Sequence, residues 1–559
     1  MPEAASPARA DEHAVARAVA RALDGARLPA LVVSDLPLDL AGLDATLLAP
    51  GQPKPDGHVR TVLLAVNDAD ELRRTVRRMS GLGWARMVAV VVADSHRVVA
   101  LRPDPAWPPL VAVEATIEHT RLEFSERTEA LPVLAALARG AAAPAPGRWD
   151  SHGGLRVAPP SRPHDDPATK HPPDVVVDPP APPVVSEPTG RAPAVVRSAD
   201  LPEAVDDAVY RPVGFRRDWT RGVLDLDPAA RLSPSLVSDL RDAQGVRLAP
   251  GHDARVAQGL AMSGVPLLGA GLPDWLPAGD ETSLDDALRR EELSVHQRRA
   301  ALTRCSVLAV RADLAATARV RAATHPTVSV LLPTRRPDQL DHALAQVARQ
   351  RRTLPGAEVE LVLAAHGFTP DPDLVAAASE MGGLSTTIVT ATTDTSFGDV
   401  LRLATDAAQG DVVLKMDDDD FYGPDVVTDL LLARRYSGAE VVGMPAELVY
   451  LEQAHTTVRR RGPSEAFGAV VAGGAMLLDR TLLRELGGWR PAPRFVDAHV
   501  LDQVRRAGGS VYRTHGLGYL LRRSATGHTW DPGVDYFLRP ETLLARWDGF
   551  RPSALMELG

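Results

Sequence analysis

Four consecutive aspartates, Asp417-Asp418-Asp419-Asp420, follow the apolar run Val412-Val413-Leu414 and the pair Lys415-Met416, and they precede Phe421-Tyr422-Gly423-Pro424-Asp425. Carboxylates crowded at the mouth of a buried strand repel one another and resist leaving water unless a cation sits among them. The run therefore reads as a metal site. Oxygen-only ligands suit Mg²⁺ or Mn²⁺, and such sites take one or two protein carboxylates and complete their shell with water and substrate phosphates. A nucleoside diphosphate is the substrate group this chemistry implies. A solvated acidic turn is the weaker alternative, because surface charge runs seldom close a β-branched strand and open a Gly-Pro helix start.

The elements around the run have the order needed to present it. Thr327-Val-Ser-Val-Leu-Leu-Pro-Thr334 is a near-continuous apolar strand, as a central parallel strand buried on both faces should be. A helix is expected over 335–350, strands over 359–364 and 387–390, a helix over 399–408, and then the strand 410–415 that delivers the carboxylates. This is a βαβ series, whose ligand site lies at the carboxyl ends of its strands.

With these elements in place, the region from about 325 to 545 resembles an inverting family 2 glycosyltransferase of the GT-A fold. Four features carry the resemblance in order: the opening Val-Ser-Val-Leu-Leu-Pro-Thr strand; the Asp-x-Asp element at Asp417-Asp418-Asp419; Gly473-Gly474 followed by Gly487-Gly488-Trp489; and Val496-Asp497 ahead of Arg505-Arg506-Ala507-Gly508-Gly509. The resemblance implies Asp417 and Asp419 as ligands of Mn²⁺ or Mg²⁺, neutralising the leaving nucleoside diphosphate. It also implies Asp497 as the base that takes the proton of the acceptor hydroxyl. A helix-dipole charge is the competing reading of Asp497.

The donor site is assigned to Pro333, Thr334, His366, Arg402 and Asp418, and the acceptor side to Gly473, Gly474, Trp489 and Trp530. His528, in Gly527-His528-Thr529-Trp530, is a further candidate metal ligand, weighed against a loop histidine bonded to its own turn. Arg402 on an amphipathic helix and Lys415 at a strand end have solvated readings, and both tryptophans have packing ones. Two departures from the family pattern stand out. The second strand ends in Ala364-Ala365-His366-Gly367 where an acidic pair is usual, so nucleobase choice is open, and Val496 stands where a glutamate is expected, which leaves Asp497 as the sole local carboxylate.

The expected activity is metal-dependent transfer of a sugar from a UDP-, GDP- or dTDP-linked donor to a saccharide or lipid-linked acceptor of a cell-surface polysaccharide or glycoconjugate. A silent scaffold that retains the fold is the alternative. A nucleotidyltransferase would want a Gly-rich loop where Pro333-Thr334-Arg335-Arg336 stands.

At 559 residues the chain exceeds a single core. Its 45% apolar and 24% charged residues describe an ordinary globular protein, and a net charge of −10 argues against nucleic acid as partner. The lone cysteine, Cys305, and an N-terminus without an apolar signal core point to the cytoplasm; with no long apolar run, any membrane contact would be peripheral, at the inner face.

The fold class expected is α/β: a C-terminal GT-A (nucleotide-diphospho-sugar transferase) fold preceded by smaller Rossmann-like segments and a Pro-rich linker. Residues 1–140 alternate helix and strand patterns but lack a Gly-x-Gly-x-x-Gly turn, so they read as a Rossmann-like domain of unknown role, either structural or docking a protein partner. Residues 141–200 carry 14 of the 48 prolines and read as a disordered, partly polyproline spacer. Residues 201–322 read as a degenerate α/β segment with glycosyltransferase-like character at Ala261-Met-Ser-Gly-Val-Pro266, and residues 323–559 as a catalytic domain able to fold alone.

Overall fold

The computed structural model describes residues 12–52, 58–93, 107–142, 204–319, 325–354, 357–524 and 533–558, apart from a few single positions, together with short strands at 157–158, 175–177 and 194–196. The chain is mixed α/β and divides into two compact units, Met1–Pro146 with Asp502–Ser510, and Gly147–Leu501 with Val511–Gly559. Among the described residues no helix is long and apolar enough to cross a membrane.

In the first unit, strands Ala45–Leu48, Ala30–Val33, Thr61–Val66 and Trp84–Val92 lie parallel in that order. Thr61–Val66 is buried along its whole length, as the apolar run Thr61-Val-Leu-Leu-Ala-Val66 requires of an inner strand. Asp68 caps the following helix, Ala69–Arg78, by accepting from the Glu71 amide. Two further strands, His119–Glu129 and Leu110–Ala115, extend the sheet antiparallel. That hairpin goes beyond the doubly wound pattern expected: charged residues alternate with buried ones along His119–Glu129, giving a period of two with one solvated face.

Most of the proline-rich stretch lies outside the described residues. Its described parts are strands, not a plain spacer: Val157–Ala158, Val175–Val177 and Ala194–Val196 pair in parallel. The valine-rich segments between proline pairs supply the amides that proline lacks.

The second unit is built on an eight-stranded sheet. Ser385–Ala391, Val359–His366, Val328–Thr334 and Val412–Met416 run parallel in that order, and Ala475–Asp479 follows antiparallel to Val412–Met416. From Val328–Thr334 the chain winds outward one way through two strands and then returns to the opposite side with Val412–Met416. The crevice beyond the carboxyl ends of these two neighbours is the switch point, where ligands of open α/β sheets bind. Asp417–Asp420 leave the sheet at that place. A second, five-stranded sheet, including Phe421–Tyr422, Leu448–Leu451 and Tyr519–Arg523, stands beside it.

Residues 204–319 form a three-stranded parallel sheet, Arg221–Asp225, Ala243–Arg247 and Leu267–Leu268, with helices Ala254–Met262 and Ala287–Cys305. They do not form a separate body. Val246, Leu260, Leu302 and Cys305 belong to the same buried cluster as Val330, Leu344 and Leu430. Arg299 pairs with Asp425 at 2.9 Å and Asp429 at 2.7 Å, Arg298 pairs with Glu465, and Glu291 pairs with Arg217 at 3.0 Å and also with Arg459. The expected autonomy of residues 323–559 conflicts with this arrangement. Without the middle segment, Asp425, Asp429 and Glu465 would be buried without these cations, and removing one partner of a buried pair costs about 3–5 kcal/mol.

Candidate functional site

The acidic turn is sorted by its partners. Strand Val412–Met416 is buried throughout, so Lys415 has almost no exposure and its ammonium must find anions inside. Its Nζ donates to Asp417 Oδ1 at 2.5 Å and to the Gly473 carbonyl at 3.2 Å, and lies 3.7 Å from Asp497 Oδ1. Burial alone would push the ammonium's pKa down, but Asp417 and Asp497 outweigh it and hold it above the ordinary lysine range. Lys415 thus joins the two carboxylates that the sequence assigns to metal and to base. Their side chains retain about a third of their exposure, 34% for Asp417 and 29% for Asp497.

Asp497 sits in the first turn of helix Val496–Arg506. Its Oδ1 makes no hydrogen bond. Burial raises its pKa, Asp417 adds to the rise, and Lys415 opposes it. The result is a recessed carboxylate ion-paired with Lys415, in a setting compatible with a base in a water-poor cleft.

Asp418 turns the other way. Thr334 Oγ1 donates to its Oδ2 at 2.6 Å, and Arg336 grips it through Nε at 3.2 Å and through Nη2. The third guanidinium nitrogen, Nη1, lies 3.0 Å from Asp419 Oδ2. Asp420 is tied down separately: Tyr519 donates a hydroxyl at 2.5 Å and the Arg522 amide donates at 3.0 Å. Burial, with Asp419 and Asp417 nearby, drives its carboxyl well above the usual carboxylate range.

Gly473 and Gly474 show why this site uses glycine. A Cβ on Gly473 would lie 2.1 Å from Asp497 Oδ2, and one on Gly474 would lie 2.8 Å from Asp417 Oδ2 and 2.9 Å from Asp420 Oδ2. The Gly-Gly pair therefore lies against Asp497 with one residue and the acidic turn with the next. Tyr422 fixes this arrangement by accepting from the Asp417 amide at 2.8 Å and donating to the Gly474 carbonyl at 2.6 Å.

The structure brings together Asp417, Asp418, Asp419, Asp497, Thr334, Gly473 and Gly474. Pro333 lies next to Thr334 in the central strand, paired with Ala364. His366 ends the neighbouring strand, buried, with its Nε2 lacking a hydrogen-bond partner. Two assigned residues are engaged elsewhere. Arg402 lies on the exposed side of its helix with its guanidinium on Asp399 at 2.9 Å, and Trp489 is 2% exposed with its indole N–H donating to Thr405. Both therefore take the solvated and packing alternatives of the sequence reading. His528 and Trp530 lie outside the described residues.

Sequence reasoning missed Arg336, Tyr422 and Tyr519. Their roles arise from contacts between segments 82 and 99 residues apart or, for Tyr422, from a turn whose hydroxyl folds back, and no local pattern marks them. For Lys415 a signal existed. A lone charge within a wholly apolar strand must have internal anions, and Asp417 is two residues away.

The oxygen donor set of Asp417 and Asp419 fits a hard divalent cation, and the absent Gly474 side chain leaves Asp417 Oδ2 and Asp420 Oδ2 facing one space. Among the described residues no three His, Cys, Asp or Glu side chains converge as a ready-made metal cage. Lys415 and Arg336 pair with these carboxylates instead.

No family model matches the chain, and no curated protein sequence does. Solved structures with partial similarity include the mannosyltransferase PcManGT from Pyrobaculum calidifontis in complex with GDP-Man and Mn²⁺, at 17% identity over 37% of this chain and 59% of that one, with a TM-score of 0.29. Another is TarS 1-349 of S. aureus with UDP-GlcNAc, at 15% identity over 36% and 60%, TM-score 0.29. A third is GalNAc-T7 with UDP, GalNAc and Mn²⁺, at 13% identity over 38% and 47%, TM-score 0.30. This chain thus spans about half to three-fifths of the length of each.

Proposed function

We propose that the second unit is a nucleotide-sugar glycosyltransferase of the inverting, family 2 type, acting on a hydroxyl of a saccharide or lipid-linked acceptor. The observation that carries this reading is the pairing, through one buried lysine, of an acidic turn at the sheet switch point with the recessed carboxylate of Asp497. Sugar transfer needs a cationic environment for the departing diphosphate and a base near the incoming hydroxyl. A divalent ion held by Asp417 and Asp419 would supply neutralisation of the leaving group when bound.

This chain's residues do the rest. Thr334 and Arg336 orient the acidic turn beside the donor, and Lys415 holds Asp417 and Asp497 at a fixed separation. Gly473 and Gly474 let donor and acceptor approach without side chains between them, and Asp497 takes the acceptor proton. The donor is a UDP-, GDP- or dTDP-linked sugar, and the setting is the cytoplasm or the inner membrane face.

The decisive substitution is Asp497→Asn, which keeps the shape and removes the basic lone pair. Donor binding by titration calorimetry should persist while transfer falls by about 10²–10⁴, the usual contribution of a general base. A loss of less than about tenfold would remove Asp497 from the mechanism.

A further inference from the structure

The acidic turn already contains a cation. Arg336 follows the central strand, and its amide donates to Thr334 Oγ1 at 3.2 Å. Its guanidinium uses all three nitrogens on two carboxylates: Nε and Nη2 on Asp418, and Nη1 on Asp419. Asp419 is also the residue assigned to the divalent ion. A guanidinium and a divalent ion on the same carboxylate repel each other across a few ångströms in a partly buried site, where screening by water is weak.

A diphosphate changes that balance, because its anionic oxygens can accept the planar fork of an arginine and the divalent ion together. Arg336 is positioned to make the exchange. Its side chain retains 26% exposure while Asp418 and Asp419 retain 7% and 13%, so the guanidinium is the more accessible partner and lies at the mouth of the crevice.

We propose that Arg336 is a built-in counter-cation that holds the acidic turn in the absence of substrate and transfers to the diphosphate of the donor when the divalent ion binds, so that metal and donor bind as a coupled pair. This rests on the glycosyltransferase reading above. Coupling of this kind is reciprocal: the nucleotide must strengthen the metal by the factor by which the metal strengthens the nucleotide.

The test is Mn²⁺ binding by the full chain, read from the electron paramagnetic resonance signal of free Mn²⁺, with and without UDP, GDP or dTDP. In the parent, Mn²⁺ alone should bind weakly and one nucleotide should tighten it by about tenfold or more, the scale of removing a full opposing charge. Arg336→Gln should bind nucleotide-free Mn²⁺ about tenfold more tightly than the parent and lose most of the enhancement. Arg336→Lys keeps the charge without the fork, so it should match the parent without nucleotide and show a reduced enhancement. Thermal melts of both variants establish that the fold is intact. Equal nucleotide-free Mn²⁺ affinity in the parent and Arg336→Gln, with binding abolished by Asp419→Ala, would overturn the counter-cation role and leave the glycosyltransferase reading standing. Absence of Mn²⁺ binding in every protein with every nucleotide would overturn both.

Discussion

At the scale of single residues, the site depends on how four adjacent aspartates are given different work. Asp420 is locked by Tyr519 and the Arg522 amide, Asp418 and Asp419 are held by Arg336, and Asp417 is held by Lys415. The sequence shows that the cluster needs cations, but not which cations serve which carboxylate, because the partners lie up to about a hundred positions away in the chain. The sequence singles out Asp497 as a candidate from its place ahead of Arg-Ala-Gly-Gly, but carries no sign of its tie to Lys415. That tie has a consequence for pH. Burial raises the Asp497 pKa and Lys415 lowers it. A base works only when ionised, so the rate should fall as pH drops through a value above the ordinary carboxylate one. Lys415→Met removes the opposing charge and should move that acid limb to still higher pH. The kcat–pH profiles of the two proteins check this, and coincident limbs would show that Lys415 does not act on the base.

At the scale of elements, the Gly473-Gly474 segment ahead of strand Ala475–Asp479 matters most. It brings a backbone without side chains to both carboxylate groups, and Ala475–Asp479 pairs antiparallel with the strand carrying Lys415, which sets the register of one against the other. Neither glycine has a left-handed φ, so alanine is conformationally acceptable there and its effect is one of space. Gly474→Ala would place a methyl 2.8 Å from Asp417 Oδ2 and 2.9 Å from Asp420 Oδ2. Donor-dependent Mn²⁺ binding should weaken by about tenfold or more, while the melting temperature shifts by no more than the few degrees that about 1 kcal/mol produces. Unchanged metal binding would show that the space beside Gly474 is not the ion's. The βαβ order over 327–416 was readable because long apolar strands alternate with periodic helices, and its boundaries lie within a few residues of those expected. The Leu110–Glu129 hairpin was not, since its half-solvated strand His119–Glu129 carries too many charges to register as a run of apolar residues.

At the scale of the whole molecule, the eight-stranded sheet and the segment before it share one core. A boundary near 322 is natural from sequence, because the chemistry-bearing motifs begin only at Thr327. The buried ion pairs of Arg298 with Glu465, Arg299 with Asp425, Arg217 with Glu447 and Glu291 with Arg459 cross that boundary, and charge pairing between distant segments leaves no trace in composition or periodicity. A fragment of residues 323–559 should therefore be insoluble or melt without cooperativity, and a fragment of residues 201–559 should give a single sharp transition by circular dichroism. A cooperative melt of the shorter piece would show that the middle segment is dispensable to the core. The central claim, that the acidic turn binds a nucleoside diphosphate through a divalent ion, is tested most directly by thermal stabilisation of the full chain with UDP, GDP and dTDP, each with and without Mn²⁺. One nucleotide should raise the melting temperature when Mn²⁺ is present, by the equivalent of about 2.7 kcal/mol at a hundredfold excess over its dissociation constant, and Asp417→Ala or Asp419→Ala should abolish the shift. No shift with any nucleotide, or the same Mn²⁺-dependent shift in both variants, would contradict the account.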